Sequence, residues 1–232
     1  MVRIGALLVD FDGTACRHDV AEHLLERFGD PSWPEYDEAV DRGEMGLREA
    51  AGRQMALLRG SPDEMLAYAL EHCPLDPTFP PFAAWAAEQG IPMTLVSDGF
   101  GFYIRPILEA SGLGDLEVRS NAAVFDGGPP RLERPYAHPV CVGCGTCKML
   151  AAVRAGQAHG SVAFVGEGQS DRYGALYSDV VFAKDHLVDL CRSDRVPYLP
   201  WQTFDDVRRA LEELDELPGA VAPDRCPGWR DP

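Results

Sequence analysis

The sequence predicts an α/β fold: a parallel sheet buried on both faces, with a small block of helices inserted after its first strand. Three observations carry that expectation. Short runs that are apolar throughout recur along the chain, as in strands covered on both sides. Helical stretches separate them in the β-α-β order of parallel sheets. From about Asp19 to about Cys73 the patterns are helical and no strand is convincing.

In order, IGALLV (4–9) is the first strand. Asp19 then reads as an N-cap with Glu22 at the capping-box position, ahead of HLLERF. EYDEAVDRG, LREAAGRQMALLRG and PDEMLAYALEH complete a small bundle above the carboxyl end of that strand, where a lid would sit. TFPPFAAWAAEQG (78–90) is a helix, IPMTLV (91–96) a strand, and GFYIRPILEASG (101–112) a helix with Pro106 in its early turns. Residues 117–136 read as a weak hairpin turning at DGGPP (126–130). KMLAAVRAGQ (148–157) is helical, and SVAFV (161–165) and DVVFA (179–183) are strands. TFDDVRRALEEL (203–214) is a closing helix, and the Pro/Gly-rich tail after it is expected to be disordered.

With 232 residues the chain can bury one sizeable core and carry a small extra domain. A formal net charge of −16 argues against a nucleic-acid partner, because phosphate backbones need basic patches. No apolar run approaches a membrane span, and Asp10 ends the apolar start too early for a signal peptide. The cytoplasm is the expected compartment.

Ligands of parallel α/β sheets bind beyond the carboxyl ends of the strands. The first strand delivers Asp10 and Asp12, which alternation places on one face; two such charges need a cation or a proton between them. The second delivers Ser97, Asp98 and Gly99, while Lys148 opens a helix and SVAFV delivers Glu167 and Asp171. This set suits phosphoryl transfer. Asp10, Glu167 and Asp171 offer oxygen ligands to a divalent cation, and magnesium fits them. Lys148, the Ser97 hydroxyl and the Gly99 amide can hold phosphate. Asp10 then serves as nucleophile, and Asp12 as general acid and later base. Singly, each of these has a plainer reading: the aspartates as a turn, Lys148 as a surface lysine, Asp171 as a cap of the helix DRYGALYS. Asp98 is favoured as a loop-orienting residue. Arg17 and His18 either face substrate or are simply solvated.

DFDGT (10–14), Ser97 in LVSDGF, Lys148 in GTCK and GEGQSD (166–171) resemble, in order, the four signatures of the haloacid dehalogenase superfamily, specifically its phosphatases. The resemblance implies a Rossmann-like core spanning 1–16 and 77–232, a helical cap over 17–76 as in phosphoserine phosphatase-like members, an aspartyl-phosphate intermediate and Mg2+. It also implies that the Asp12 backbone carbonyl joins the metal ligands. The pattern carries aspartate where this chain has Glu167. CGTCK, SDRYGALYSDVVFAKDHL and LPWQTFDDVRRAL are similar to the methionine-salvage phosphatases acting on 2-hydroxy-3-keto-5-methylthiopentenyl-1-phosphate, a subgroup that also includes members with other small phosphomonoester substrates. The expected activity is hydrolysis of a small phosphorylated metabolite. Rival readings are a dehalogenase, which would not need Asp12, a phosphotransferase, and a non-catalytic binding protein that arose through Glu167.

The odd count of seven cysteines fits a reducing compartment. His138, Cys141, Cys144 and Cys147 recur every third residue as candidate ligands of a structural Zn2+. The same cysteine spacing occurs in iron–sulfur ligation, with Cys73-Pro74 or Cys226-Pro227 as a remote fourth, but a cluster is disfavoured because nothing else suggests electron transfer. Small buried thiols, or a reversible disulfide pair, are favoured slightly over zinc.

Overall fold

The computed structural model describes residues 3–127, 130–221 and 225–228. Its centre is a seven-stranded sheet in the order β4-β3-β2-β1-β5-β6-β7. The central strand β1 (Ala6–Val9) lies parallel between β2 (Met93–Phe100) and β5 (Val162–Gly166). β6 (Val180–Ala183) and the short β7 (Leu199–Pro200) extend the β5 side in parallel. The chain therefore leaves β1 toward opposite sides of the sheet, the arrangement that opens a crevice at the carboxyl ends.

The continuous apolar character of β1 follows from its two covered faces. Leu7 and Val9 join Phe79, Phe82 and Ile104, from α5 (Phe79–Glu88) and α6 (Gly101–Ala110). Leu8 joins Ala151, Ala152 and Leu187 on the opposite face, from α7 (Lys148–His159) and α9 (Asp185–Asp194). α8 (Arg172–Leu176) lies with α7 and α9, and α10 (Phe204–Glu212) packs on α5. All three β1 residues are shielded from water, so truncating Leu8 to alanine costs about 3 kcal/mol.

Residues 117–136 form more than a hairpin. β3 (Glu117–Val124) pairs antiparallel with β4 (Arg131–Glu133), but it also pairs in parallel with β2 and so belongs to the main sheet. Its mixed sequence EVRSNAAV hides this, because Val118, Ser120 and Asn121 are buried together. The DGGPP turn includes Gly128 and Pro129, and the tail includes 222–224 and 229–232, all outside the described residues.

Between β1 and α5 come α1 (Val20–Phe28), α2 (Pro34–Asp41), α3 (Leu47–Leu57) and α4 (Pro62–His72). Asp19 caps α1 by accepting from the Glu22 amide at 2.9 Å. A complete capping box opens α4: the Glu64 amide donates to Ser61 Oγ at 3.2 Å, and the Ser61 amide donates to Glu64 Oε2 at 2.9 Å. The chain enters and leaves this insert side by side. Cys16 and Leu75 form an isolated antiparallel bridge, and Arg17 pairs with Asp76 at 2.8 Å. Among the described residues, no helix is long and apolar enough to cross a membrane.

Candidate active site

β1 ends where the Asp10 amide donates to Val165 of β5 at 3.0 Å. The chain then makes a wide turn over Phe11–Ala15, closed by the Ala15 amide on the Asp10 carbonyl (3.3 Å) and the Cys16 amide on that of Phe11 (2.8 Å). Gly13 sits at φ +70°, and a Cβ there would lie 3.0 Å from the Glu167 carboxyl carbon. Glycine is needed twice over, for the backbone and for the approach of β5's loop.

This turn changes the expected relation of the two aspartates. Asp12 lies inside it, not on a strand face shared with Asp10, and the carboxylates find different partners. Oδ1 of Asp10 accepts from Lys148 Nζ at 2.6 Å. Asp12 accepts from the Val20 amide (3.1 Å), Ser97 Oγ (3.0 Å) and Tyr103 OH (3.2 Å). Burial, reinforced by the charge of Asp19, pushes Asp12 up to about 7 against the pull of those three donors. Burial and the neighbouring Asp171 also hold Asp10 well above the usual carboxylate range, opposed by Lys148.

β2 runs to Phe100, further than expected, and carries Ser97, Asp98 and Gly99. Ser97 Oγ donates to Asp12 and accepts the Gly99 amide at 2.8 Å. A Cβ on Gly99 would fall 2.2 Å from Tyr103 OH and 2.3 Å from Asp12 Oδ2, so only glycine fits. Asp98 turns away and accepts the Thr146 amide at 2.5 Å, fixing the loop that leads to Lys148.

Lys148 is the buried hub. Its ammonium donates to Asp10 Oδ1, to Ser170 Oγ (2.9 Å) and to Asp171 Oδ1 (2.5 Å). Burial alone would lower its pKa, but the charges of Asp10, Asp171 and Asp98 carry it well above the ordinary lysine value. Asp171 stands at the N-cap position of α8 without a side-chain bond to that helix: its Oδ2 instead accepts the Glu167 (2.9 Å) and Gly168 (3.0 Å) amides and shapes the loop before it. Burial, then Asp171, raises Glu167 to about 7.

Ligand oxygens of Asp10, Glu167 and Asp171 lie within 4.8 Å of one another, the only group of three or more His, Cys, Asp or Glu side chains so close among the described residues. Crowded carboxylates with raised pKa values, all hard oxygen donors, fit a divalent cation such as magnesium. Above them opens a cavity of about 170 Å³, walled on the insert side by Leu25, Leu47, Met55 and Gln54 and by the carboxylates of Asp19 and Asp37.

The zinc candidates are not assembled as a site. His138 Nδ1 accepts the amides of Val140 (3.2 Å) and Cys141 (2.9 Å), so Nε2 carries the proton and neither nitrogen offers a lone pair. The sulfurs of Cys141, Cys144 and Cys147 do not form a ligand group within 4.8 Å either. Arg17 and His18 are exposed; Arg17 pairs with Asp76 and His18 meets His23 at 3.2 Å, away from the cavity. Tyr103 and Ser170 were not singled out from the sequence. Tyr103 looked like one more apolar position on a core helix, and Ser170 had no signal beyond its place in GEGQSD.

A family model described as haloacid dehalogenase-like hydrolase matches residues 7–175. A curated relative from Bacillus velezensis, a 2-hydroxy-3-keto-5-methylthiopentenyl-1-phosphate phosphatase, is 28% identical over 94% of this chain and 94% of its own. Another of that name, from Geobacillus thermodenitrificans, is 30% identical over 91% of this chain and 97% of its own. Among solved structures, a phospho-aspartyl intermediate analogue of phosphoserine phosphatase covers 92% of this chain and 100% of its own with a TM-score of 0.69 at 15% identity, a likeness of fold.

Proposed function

The chain belongs to the haloacid dehalogenase-like hydrolases, and from that premise we propose that it hydrolyses a small phosphomonoester metabolite through a phosphorylated Asp10. The observation that carries this reading is the buried Lys148 ammonium held between Asp10 and Asp171, behind the Asp10 and Ser170 side chains that line the cavity. Three distant segments meet at that one atom.

In this reading Asp10 attacks phosphorus as the ester oxygen leaves with a proton from Asp12. Asp12 then takes a proton from water, which attacks the acyl phosphate, frees inorganic phosphate and restores Asp10. An Asp12 carboxyl poised near 7 supports both duties. Ser97, Gly99 and Lys148 hold the phosphoryl oxygens. Asp10, Glu167, Asp171 and the Asp12 carbonyl would hold Mg2+, which offsets phosphate charge during attack. The need for an acid at Asp12 speaks against a dehalogenase. A non-catalytic binding protein that arose through Glu167 would instead bind Mg2+ without turning over any ester.

The helices over 17–76 act as a cap that excludes water and selects the leaving group. Ala21, Leu25, Leu47, Ala50, Ala51 and Met55 give the insert an apolar stretch of cavity wall that suits an apolar tail, beside the carboxylates of Asp19 and Asp37. None of the described residues lining the cavity is cationic, so a second anionic group on the substrate would lack a partner. That lack supports the methylthio-bearing enol phosphate named for the relatives over phosphoserine-like substrates, which carry a carboxylate. The cytoplasm is the compartment of this reading, supported by seven free thiols.

The test is turnover of p-nitrophenyl phosphate and a panel of phosphorylated metabolites, the enol phosphate among them, with Mg2+. Expected is phosphate release that Asp10→Asn abolishes; undiminished turnover in that variant, deamidation excluded, overturns the reading. Transfer of phosphate to an added alcohol, seen in the products, would make it a phosphotransferase.

A further inference from the structure

The phosphatase reading leaves one feature unused. Cys141, Cys144 and Cys147 line a cavity of about 140 Å³ outside the substrate pocket, and the chain returns from its far end to add Cys226 to the same wall. The other remote candidate, Cys73, lies elsewhere, its carbonyl accepting from Cys16 Sγ. Cys141, Cys147 and Cys226 each lie close enough to Cys144 to oppose its ionisation.

Two of the four sulfurs already accept backbone amides: Gly143 donates to Cys141 at 3.5 Å and Leu150 to Cys147 at 3.4 Å. The Gly228 amide lies near enough to Cys226 to ease its ionisation. At Cys141 and Cys226 the facing amide is that of a glycine two residues on. Amide donors aimed at sulfur stabilise thiolate ligands and tune the metal they hold.

The spacing selects the occupant. Four thiolates around one Zn2+ at about 2.3 Å would bring the sulfurs to about 3.8 Å from one another. No three of these sulfurs come within even 4.8 Å. They surround a space instead, as ligands of a polynuclear core do. The sequence Cys-x-x-Cys-x-x-Cys with a distant Cys-Pro is also the ligand pattern of iron–sulfur proteins.

We propose that Cys141, Cys144, Cys147 and Cys226 hold a [4Fe–4S] cluster. Binding displaces four thiol protons and ties the chain's end to the loop before α7. Arg48 of α3 grips the same loop, donating to the carbonyls of Cys144 (2.7 Å) and Cys141 (3.1 Å). The next residue after that loop is Lys148, and Leu47 lines both cavities. The cluster's role is therefore to fasten the phosphate lysine and the cap-facing loop. It does not depend on which ester is cleaved.

The test uses the full chain prepared without oxygen, then incubated with ferric iron, sulfide and a thiol reductant, whose electrons bring half of the iron to the ferrous state, and desalted. Expected are broad visible charge-transfer absorption, about four irons and four sulfides per chain, and a paramagnetic signal after dithionite reduction. Cys226→Ala should lose at least half of the bound iron and the signal, while Cys73→Ala keeps both. Wild-type protein that binds one zinc and no sulfide, or no metal at all, overturns the proposal, as does a Cys226→Ala variant with an undiminished cluster. The wild-type measurement decides even if Cys226→Ala fails to fold.

Discussion

Tyr103 donates its hydroxyl to Oδ2 of Asp12 at 3.2 Å, and the same oxygen accepts from Ser97 at 3.0 Å. Both donors favour the ionised carboxylate, so they hold down a pKa that burial raises. Tyr103→Phe removes one of them at little cost in packing. A hydrogen bond to a charged group is worth about 1.5 kcal/mol, or about one pKa unit. The expected outcome is an Asp12 titration displaced upward by about that much, read from the pH–rate profile of a substrate with a poor leaving group. An unchanged profile with only lower stability would reduce Tyr103 to a core residue.

Asp12 and Glu167 both stand near 7 in the metal-free protein, above their unfolded values of 3.8 and 4.5. Raised carboxyl groups bind protons more tightly when folded. Each therefore costs stability increasingly as pH climbs from its unfolded value to about 7, and the cost then levels off. Mg2+ competes with those protons. Its affinity should strengthen as pH rises through about 7, with proton release on binding, both measurable by calorimetry in two buffers of different ionisation enthalpy. Affinity independent of pH would remove Glu167 from the ligand set.

Lys148 is buried between two carboxylates, and removing one partner of a buried ionic cluster costs about 3 to 5 kcal/mol. Lys148→Met should lose stability of that order in urea unfolding without metal, and turnover should fall by about a thousandfold or more. Mg2+ should recover part of the stability and little of the turnover. If metal restored both, Lys148 would be only a stand-in for the cation.

Leu47 and Met55 stand on the apolar wall of the substrate cavity. Leu47→Asn places an amide where an apolar tail would rest, at about 1 to 3 kcal/mol, or about a tenfold to hundredfold fall in kcat/KM for the methylthio ester. The small substrate acetyl phosphate should barely notice. Equal losses for both substrates would mean that the insert does not sort leaving groups.

Much of this was legible in the sequence, for physical reasons. Asp10, Ser97 and Glu167 follow apolar runs that end at one edge of a parallel sheet, so their convergence follows from strand direction alone. Lys148 opens a helix whose opposite end feeds β5, which fixes it beside the same edge. What escaped is non-local or conformational. Asp12 takes its orientation from a turn that closes by i→i+5 bonds, not from strand alternation. Tyr103 looks like any core aromatic until its hydroxyl is placed. β3 resembled a hairpin because its neighbour in sequence signals a turn, while its parallel partner β2 lies earlier in the chain. Cys226 joins its three fellows only through the fold of a tail that has little pattern of its own.

The paired crossing at Cys16 and Leu75, strapped by Arg17 and Asp76, makes everything between them a side excursion from the sheet. An excursion that starts and finishes at one doorway can be lengthened, shortened or exchanged without shifting the register of a single strand. Recognition can thus be rebuilt at this doorway while the chemistry at the sheet edge stays untouched.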